Sequence, residues 1–203
     1  MGGYQIIHLS DMLEILGEED TKSILSTFSC PLNKDIEDFL RFKAITFSAQ
    51  GLAKTHLVFT SYKDKPCLIG YFTLSNKGFS VAYNERSFSK TLRKRLNKFA
   101  VYNRAFNSYT VSAPLIAQLS KNFTNGYNKL ISGDELLKMA CDQVASIQAL
   151  VGGRFVYLEC EDKDFLINFY SENGFYNFGK RQLDSDEKDS LSGDYLIQML
   201  KYL

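Results

Sequence analysis

Arg154-Phe155-Val156-Tyr157-Leu158-Glu159-Cys160-Glu161-Asp162, continued by Lys163-Asp164-Phe165-Leu166-Ile167-Asn168-Phe169-Tyr170-Ser171-Glu172-Asn173-Gly174-Phe175, is the stretch on which the fold turns. Arg154 to Leu158 is β-branched and aromatic and follows Gly152-Gly153, which predicts a buried strand. Glu161, Asp162 and Asp164 suit the start of a helix, where carboxylates complement the positive end of the dipole. Phe165, Ile167, Phe169 and Tyr170 crowd that short helix with apolar bulk, so its tyrosine is expected to be partly buried. Asn173-Gly174 stops it. By itself Tyr170 reads first as a core aromatic with its hydroxyl satisfied, since buried tyrosines are common.

Upstream, Ala113 to Leu119 reads as a strand, and Gly133-Asp134-Glu135 opens a helix. Leu136, Leu137, Ala140, Val144, Ile147 and Leu150 keep the helical period until Gly152-Gly153 ends it. The connection closes on Asn128-Lys129-Leu130-Ile131-Ser132-Gly133, where Ser132 followed by Glu135 is a capping box. A loop at a helix N-terminus suits an anion, because backbone N–H groups converge there on the positive end of the dipole.

Strand, loop, long helix, strand, short helix and F-Y-x-x-x-G-F, in that order, resemble the catalytic core of the GNAT superfamily of acetyl-CoA-dependent N-acetyltransferases. The resemblance implies an α/β fold with a mixed central sheet flanked by helices, as a single domain over residues 1–203. It implies that Tyr170 lies beside the acetyl-CoA sulfur as general acid. It places the pantetheine arm on the backbone of Leu119, Ser120 and Lys121. The pyrophosphate falls to Asn128, Lys129, Leu130, Ile131, Ser132 and Gly133. The family pattern for that loop is Gln or Arg, two residues, Gly, one residue, then Gly or Ala. Gly133 keeps the last position, but Ile131 replaces the first glycine and Asn128 the Gln or Arg. Lys129 adds a charge that offsets this. Lys163 and Leu166 stand where many members have asparagine and alanine.

The N-terminal half supplies the rest of an α/β unit. Gln5 to Leu9 reads as a strand, and a first helix begins at Asp20 or Thr21 and covers Ser23 to Phe28. Asn33 caps a second helix from Lys34 to about Gln50, with Ile36, Phe39, Leu40, Ala44 and Phe47 on one face. Lys43 interrupts that face and is expected to snorkel. His56 to Tyr62 and Pro66 to Leu74 form a hairpin joined by Lys63-Asp64-Lys65. His8 and His56 fall in strand contexts and are read as structural.

Residues 76–112 depart from the family as an inserted basic helical segment. Ser89 to Phe99 carries five basic residues around a sparse Leu92, Leu96, Phe99 stripe, followed by Tyr102, Phe106 and Tyr109. A solvated helix face, a nucleic-acid surface such as one for tRNA, and a partner contact are all open readings.

Composition narrows the class. The chain has 203 residues, 45% hydrophobic and 23% charged, ordinary for a globular protein, and its net charge of +1 gives no global pull toward nucleic acid or membrane. No apolar run reaches the ~18 residues of a membrane-spanning helix. Met1-Gly2-Gly3-Tyr4 lacks signal-peptide character. Cys30, Cys67, Cys141 and Cys160 are dispersed, so no disulfide framework or metal site is expected, and a cytoplasmic location is. The expected function is acetyl transfer from acetyl-CoA to a primary amine by direct attack in a ternary complex. Cys160 is then core, and Glu159 and Glu161 are candidate bases through water. The alternative is a catalytically weak or inactive GNAT-fold binding or regulatory protein. The acceptor amine and the oligomeric state are not written in the sequence.

Overall fold

The computed structural model describes residues 3–83, 88–185 and 193–203, so Met1, Gly2 and residues 84–87 of the 76–112 segment lie outside it. Its strands are β1 Gln5–His8, β2 Lys54–Tyr62, β3 Lys65–Ala82, β4 Val101–Asn103, β5 Ser108–Lys121, β6 Phe155–Glu161, β7 Tyr176–Gln182 and β8 Tyr195–Tyr202. They form one eight-stranded sheet in the order β1-β2-β3-β5-β6-β8-β7, with β4 paired to β5. The helices are α1 Leu9–Leu16, α2 Glu18–Ser26, α3 Lys34–Asp38, α4 Ala44–Ala49, α5 Lys90–Phe99, α6 Gly133–Val151 and α7 Asp164–Glu172. This is the mixed α/β class read from the sequence. The chain divides into two compact units, residues 1–75 with 116–140, and residues 76–115 with 141–203.

In the first unit two helices stand where one was expected. α1 follows β1 directly, burying Leu9 and Met12 on its apolar stripe. It ends at Gly17, whose φ of 78° is left-handed and whose N–H closes on Leu13 O at 3.0 Å. α2 then begins at Glu18, with Glu18, Glu19 and Asp20 at the positive end of its dipole. The predicted second helix is present, but a π-helical turn at Phe39–Lys43 interrupts it between α3 and α4. The extra residue in that turn shifts the phase of the buried face. Lys43 therefore comes out to solvent 3.9 Å from Asp35, instead of snorkelling. Asn33 caps α3 as expected, accepting from Ile36 N. The hairpin turn holds two residues rather than three: Tyr62 pairs with Lys65, and Lys63 and Asp64 take φ of 52° and 59°. Two successive left-handed residues match a two-residue hairpin of the primed type. Leu9, Met12, Leu25, Phe28, Phe39, Leu40, Ala44, Leu57, Leu68 and Tyr71 make this unit's core.

In the second unit much of the 76–112 segment is strand. β3 runs on to Ala82 and β5 begins at Ser108, before the expected Ala113, so the added pieces are α5 and β4. Ser89 caps α5 by accepting from Leu92 N at 3.1 Å. Leu96, with Leu92 and Phe99 beside it, packs into a core of Phe79, Val81, Tyr109, Val111, Phe155, Tyr157 and Leu200. The sparse stripe is therefore the buried face of α5, and the basic residues belong to the rest of its circumference.

Candidate functional site

In the first unit the strand exit that was assigned to the pantetheine arm is tightly built. Gly70 on β3 makes it possible: a Cβ there would stand 2.9 Å from Ser120 O, 3.3 Å from Leu136 Cδ2 and 3.4 Å from Lys121 Cα. Only hydrogen at that position admits so close a backbone approach. Ser120 is buried and its hydroxyl donates to Lys121 O at 3.0 Å and to Cys30 Sγ at 3.3 Å, so the side chain is spent on packing. What Ser120 offers a ligand is main chain.

The residue that fastens this exit is Asn122, which carried no sequence signal. It is 1% exposed. Its amide nitrogen donates to Leu68 O at 2.8 Å, and its Oδ1 accepts from Ser29 N and Thr124 N, both at 3.0 Å. Its backbone N–H reaches Ile69 O at 2.7 Å, while Phe123 N–H bonds Ser29 O at 2.8 Å. The segment around Ser29 is itself held by Glu37, whose Oε2 accepts from Cys30 N at 2.8 Å and Ser29 Oγ at 3.2 Å. Lys34 and Arg41 pair with that carboxylate at 2.9 Å each. The Lys34 ammonium and the Cys30 N–H hold it down at about 2.

The expected phosphate loop does link strand to helix. Asn128 and Lys129 end a 3-10 stretch, Thr124–Lys129, in which Asn125 and Gly126 adopt positive φ. Ile131, 3% exposed, is a core residue in the place of the first glycine. Ser132 and Glu135 form the capping box: Glu135 N donates to Ser132 Oγ at 3.1 Å, and Glu135 Oε2 takes Ser132 N and Ser132 Oγ, both at 2.8 Å. The Ser132 N–H and hydroxyl hold that carboxylate below its usual range. Tyr4 closes the arrangement from β1's approach, donating to Leu130 O at 3.2 Å and Glu135 Oε1 at 3.1 Å. A fixed negative charge thus sits at the N-terminus of α6, where Gly133 is the first helical residue. His56 is elsewhere in the unit, buried against Phe72 in a ring stack at 4.7 Å and edge-on to His8 at 4.6 Å. Burial pushes its imidazole down to about 4, so it is neutral at pH 7.

In the second unit α7 carries Tyr170. The helix stops as expected: Asn173 Nδ2 and N both bond Phe169 O, and Gly174 takes a φ of 82°. Phe175 then turns inward to 2% exposure. Tyr170 packs edge-on against Phe169 and Phe175 at 5.0 and 5.9 Å. Its hydroxyl makes no hydrogen bond among the described residues. Burial, reinforced by the nearby Cys160, raises the phenol well above the usual tyrosine range, so it keeps its proton at neutral pH. Cys160 is a neutral thiol, pushed up to about 12 by burial, and not a nucleophile. All four cysteines are free and buried.

The two carboxylates considered as bases are already engaged. Arg181 grips Glu159 through Nε at 3.0 Å to each oxygen, and Gln198 Nε2 adds 2.9 Å to Oε1. Lys163 Nζ lies 2.9 Å from Glu161 Oε2. Two residues before Glu159 on β6, the Tyr157 hydroxyl is buried without a hydrogen-bond partner among the described residues. Arg181 carried no signal in the sequence, because its partner is 22 residues away on another strand. No cluster of three or more His, Cys, Asp or Glu that could hold a metal occurs among the described residues. Among them, too, no helix is long and apolar enough to cross a membrane.

Solved structures with the same architecture include a variant of KacT, 16% identical, with a TM-score of 0.58 over 96% of this chain and 93% of that one. The chain has the GNAT acetyltransferase fold. AtaT complexed with acetyl-methionyl-tRNAfMet matches equally well, at 15% identity and a TM-score of 0.58 over 96% and 94% of the two chains. AtaTR bound with AcCoA matches at 15% identity and a TM-score of 0.53 over 96% and 91%. No protein-family model and no curated protein sequence matches the chain. At these identities the GNAT likeness is one of fold, and the chemistry has to be argued from the residues.

Proposed function

We propose that this chain is an acetyl-CoA-dependent N-acetyltransferase, a single GNAT-like domain that passes an acetyl group to a primary amine by direct attack. The observation that carries the reading is Tyr170: a protonated, half-buried phenol with no hydrogen-bond partner among the described residues, on the helix of the F-Y-x-x-x-G-F segment. Because the residue is only half-buried and its oxygen is not sealed in the core, a thiolate can reach the hydroxyl. In the reaction the amine nitrogen attacks the thioester carbonyl, the carbon–sulfur bond breaks, and the departing thiolate takes the Tyr170 proton. The amine loses its own proton to water, since Glu159 and Glu161 are tied to Arg181 and Lys163. Holding donor and acceptor together supplies the remaining advantage.

The main chain of Leu119, Ser120 and Lys121 would hold the pantetheine arm, and Asn128 through Gly133 the pyrophosphate. The four buried, free cysteines fit a cytoplasmic protein. For the acceptor, an amine borne by tRNA is the finer reading, supported by AtaT, whose fold this chain shares and which is complexed with acetyl-methionyl-tRNAfMet. Assembly into an oligomer is compatible with this scheme. One observation favours the second reading, a GNAT-fold protein that binds CoA weakly: the Glu135 carboxylate on the Ser132 N–H occupies the ground that a pyrophosphate would need.

Calorimetric titration with acetyl-CoA separates the two. The enzyme reading expects a dissociation constant between about 1 μM and 1 mM, in the range of ordinary Michaelis constants. Tyr170→Phe then keeps the ring and strands no partner, so melting temperature and acetyl-CoA affinity should hold while kcat falls about 10- to 10⁴-fold. An unchanged kcat on the true acceptor would reduce Tyr170 to packing. A wild type that never takes acetyl-CoA would end the enzyme reading.

A further inference from the structure

From Arg86 to Gly133 the sequence contains no aspartate or glutamate, yet it holds nine lysines and arginines, in a chain whose net charge is only +1. Six of them fall on α5 and the hairpin that follows it: Lys90, Arg93, Lys94, Arg95, Lys98 and Arg104. Three are used internally, Lys98 only loosely, its Nζ standing 5.2 Å from the centre of the Phe99 ring. Arg93 points to Tyr83 Oη at 3.5 Å, and Arg95 lies over the Tyr202 ring at 4.0 Å. Lys90, Lys94, Lys98 and Arg104 enter no ion pair among the described residues. Lys90, Lys94 and Lys98 follow one another at intervals of four on the side of α5 away from buried Leu96, and all three are exposed. Like charges at that spacing repel and weaken a helix. Among the described residues no carboxylate offsets this row of three, so it is a cost to the helix.

α5 runs directly into the β4–β5 hairpin, and that hairpin presents apolar rings to water. Phe106 is 79% exposed and Tyr102 42%. The tip is nonetheless fixed: Asn103 Oδ1 accepts from Ala105 N at 3.0 Å and Phe106 N at 3.4 Å, and Tyr102 Oη donates to Asn107 Oδ1 at 2.6 Å. Asn107 takes a φ of 45°, and its carbonyl accepts from Tyr83 N at 2.9 Å. Tyr109, from the first turn of β5, bonds Asn97 on α5 and so ties hairpin to helix. A rigid exposed ring on a hairpin that directly follows a row of exposed lysines matches a strand of phosphates with unpaired bases, because every base offers a face for stacking and every phosphate a charge.

We propose that α5 and the β4–β5 hairpin form a binding surface for single-stranded RNA, with phosphates on Lys90, Lys94 and Lys98 and an unpaired base stacked on Phe106. The choice of RNA over DNA rests on the acetyltransferase reading. Exocyclic base amines are poor nucleophiles because their lone pairs are delocalised into the ring, whereas an amino acid esterified to the 3′ end of RNA presents a free aliphatic amine.

The test is fluorescence anisotropy of a labelled single-stranded RNA oligonucleotide across a salt series, without acetyl-CoA, on the full chain. The double change Lys94→Gln with Lys98→Gln should flatten the slope of log affinity against log salt by about 1.4, the value for two lost single-strand contacts. Phe106→Ala should weaken binding about 5- to 150-fold with the slope unchanged, and Phe106→Trp should restore it. All are exposed positions, so melting temperatures should hold, and the lysine change should leave α5 no weaker. Wild-type affinity and slope in these variants would overturn the proposal. So would equal affinity for duplex RNA, tighter binding of single-stranded DNA, or displacement by polyglutamate with Phe106 irrelevant. A chain that binds RNA as described but never binds acetyl-CoA sustains this proposal and removes the catalytic one. A chain that acetylates an amine while these variants bind RNA like wild type does the reverse.

Discussion

Replacing Gly70 by alanine tests the strand exit on which the cofactor assignment depends. The backbone of Gly70 is not left-handed, so alanine meets no conformational objection there. Its methyl does meet Ser120 O at 2.9 Å and Lys121 Cα at 3.4 Å, both main chain, and Leu136 Cδ2 at 3.3 Å. Leu136 can give a few tenths of an ångström, but the carbonyl belongs to a strand held by its neighbours. Overpacking of this kind costs about 1–3 kcal/mol. Removing glycine from the unfolded chain returns about 0.4–1 kcal/mol. The net loss is therefore about 0–2.6 kcal/mol, which for a chain of this length lowers Tm by up to about 10 °C. Acetyl-CoA affinity should fall with it, because the atoms displaced are those of Ser120 and Lys121. Gly78→Ala is the internal control: its Cβ would meet nothing nearer than Val111 O at 3.9 Å, an ordinary contact. Thermal unfolding of both variants, with a calorimetric titration of the first, decides the matter. Equal Tm for Gly70→Ala and Gly78→Ala, which share the glycine term, would mean that β3 does not press against the exit of β5.

Three further outcomes follow from the same geometry. Asn122→Ala strands the Ser29 and Thr124 N–H groups and the Leu68 carbonyl, so unfolding should become easier by about 2–4 kcal/mol in a denaturant titration. Glu135→Gln keeps the capping hydrogen bonds but removes their charge; acetyl-CoA affinity by calorimetry should rise about fivefold or more, since one charge pair at 4 Å is worth about 1 kcal/mol even in water, while Tm should change little. His56 titrates near 4 when folded and near its ordinary value when unfolded, so between about pH 6.5 and 4 the unfolded chain binds the extra proton and stability falls as pH falls. From pH 7 to 5, above the range of most carboxylates, that loss should reach about 2 kcal/mol, and His56→Phe should abolish it in a pH series of thermal melts.

What the sequence disclosed about the fold was carried by local signals. Asn33 and the Asn173-Gly174 exit mark helix ends through bonds to residues three or four positions away, and each stands where it was read. The β-branched and aromatic run Arg154 to Leu158 after Gly152-Gly153 marked a buried strand, and β6 spans Phe155–Glu161 with all but Glu159 buried. α1 was missed because Ile6 to Leu9 is short and apolar, and only the partners of Leu9 and Met12 across the unit 1 core make it helical from Leu9 onward. The π turn was missed because Lys43 looks the same in sequence whether it snorkels or rotates outward. At the site, Asn122 and Arg181 could not be picked out: the first bonds Ser29 and Leu68, 93 and 54 residues away, and the second bonds a strand 22 residues back.

The start of α6 shows how one local signal can support opposite functional expectations. Ser132 and Glu135 were legible as a capping box, and the capping box is present. A good cap satisfies orphan N–H groups with the protein's own carboxylate. An anion site leaves those groups and the dipole free for a ligand. The same four residues, Ser132 through Glu135, cannot do both fully, and Tyr4 biases the outcome toward the cap by holding Leu130 O and Glu135 Oε1 from 126 and 131 positions earlier. Tyr4→Phe should therefore loosen the carboxylate without removing its charge. If pyrophosphate competes for this helix end, acetyl-CoA affinity rises modestly in Tyr4→Phe and further in Glu135→Gln, in that order. A titration in which Glu135→Gln binds no better than wild type would show that the cofactor's phosphates, if they are held at all, are held by Lys129 and the 3-10 stretch before it rather than by the helix.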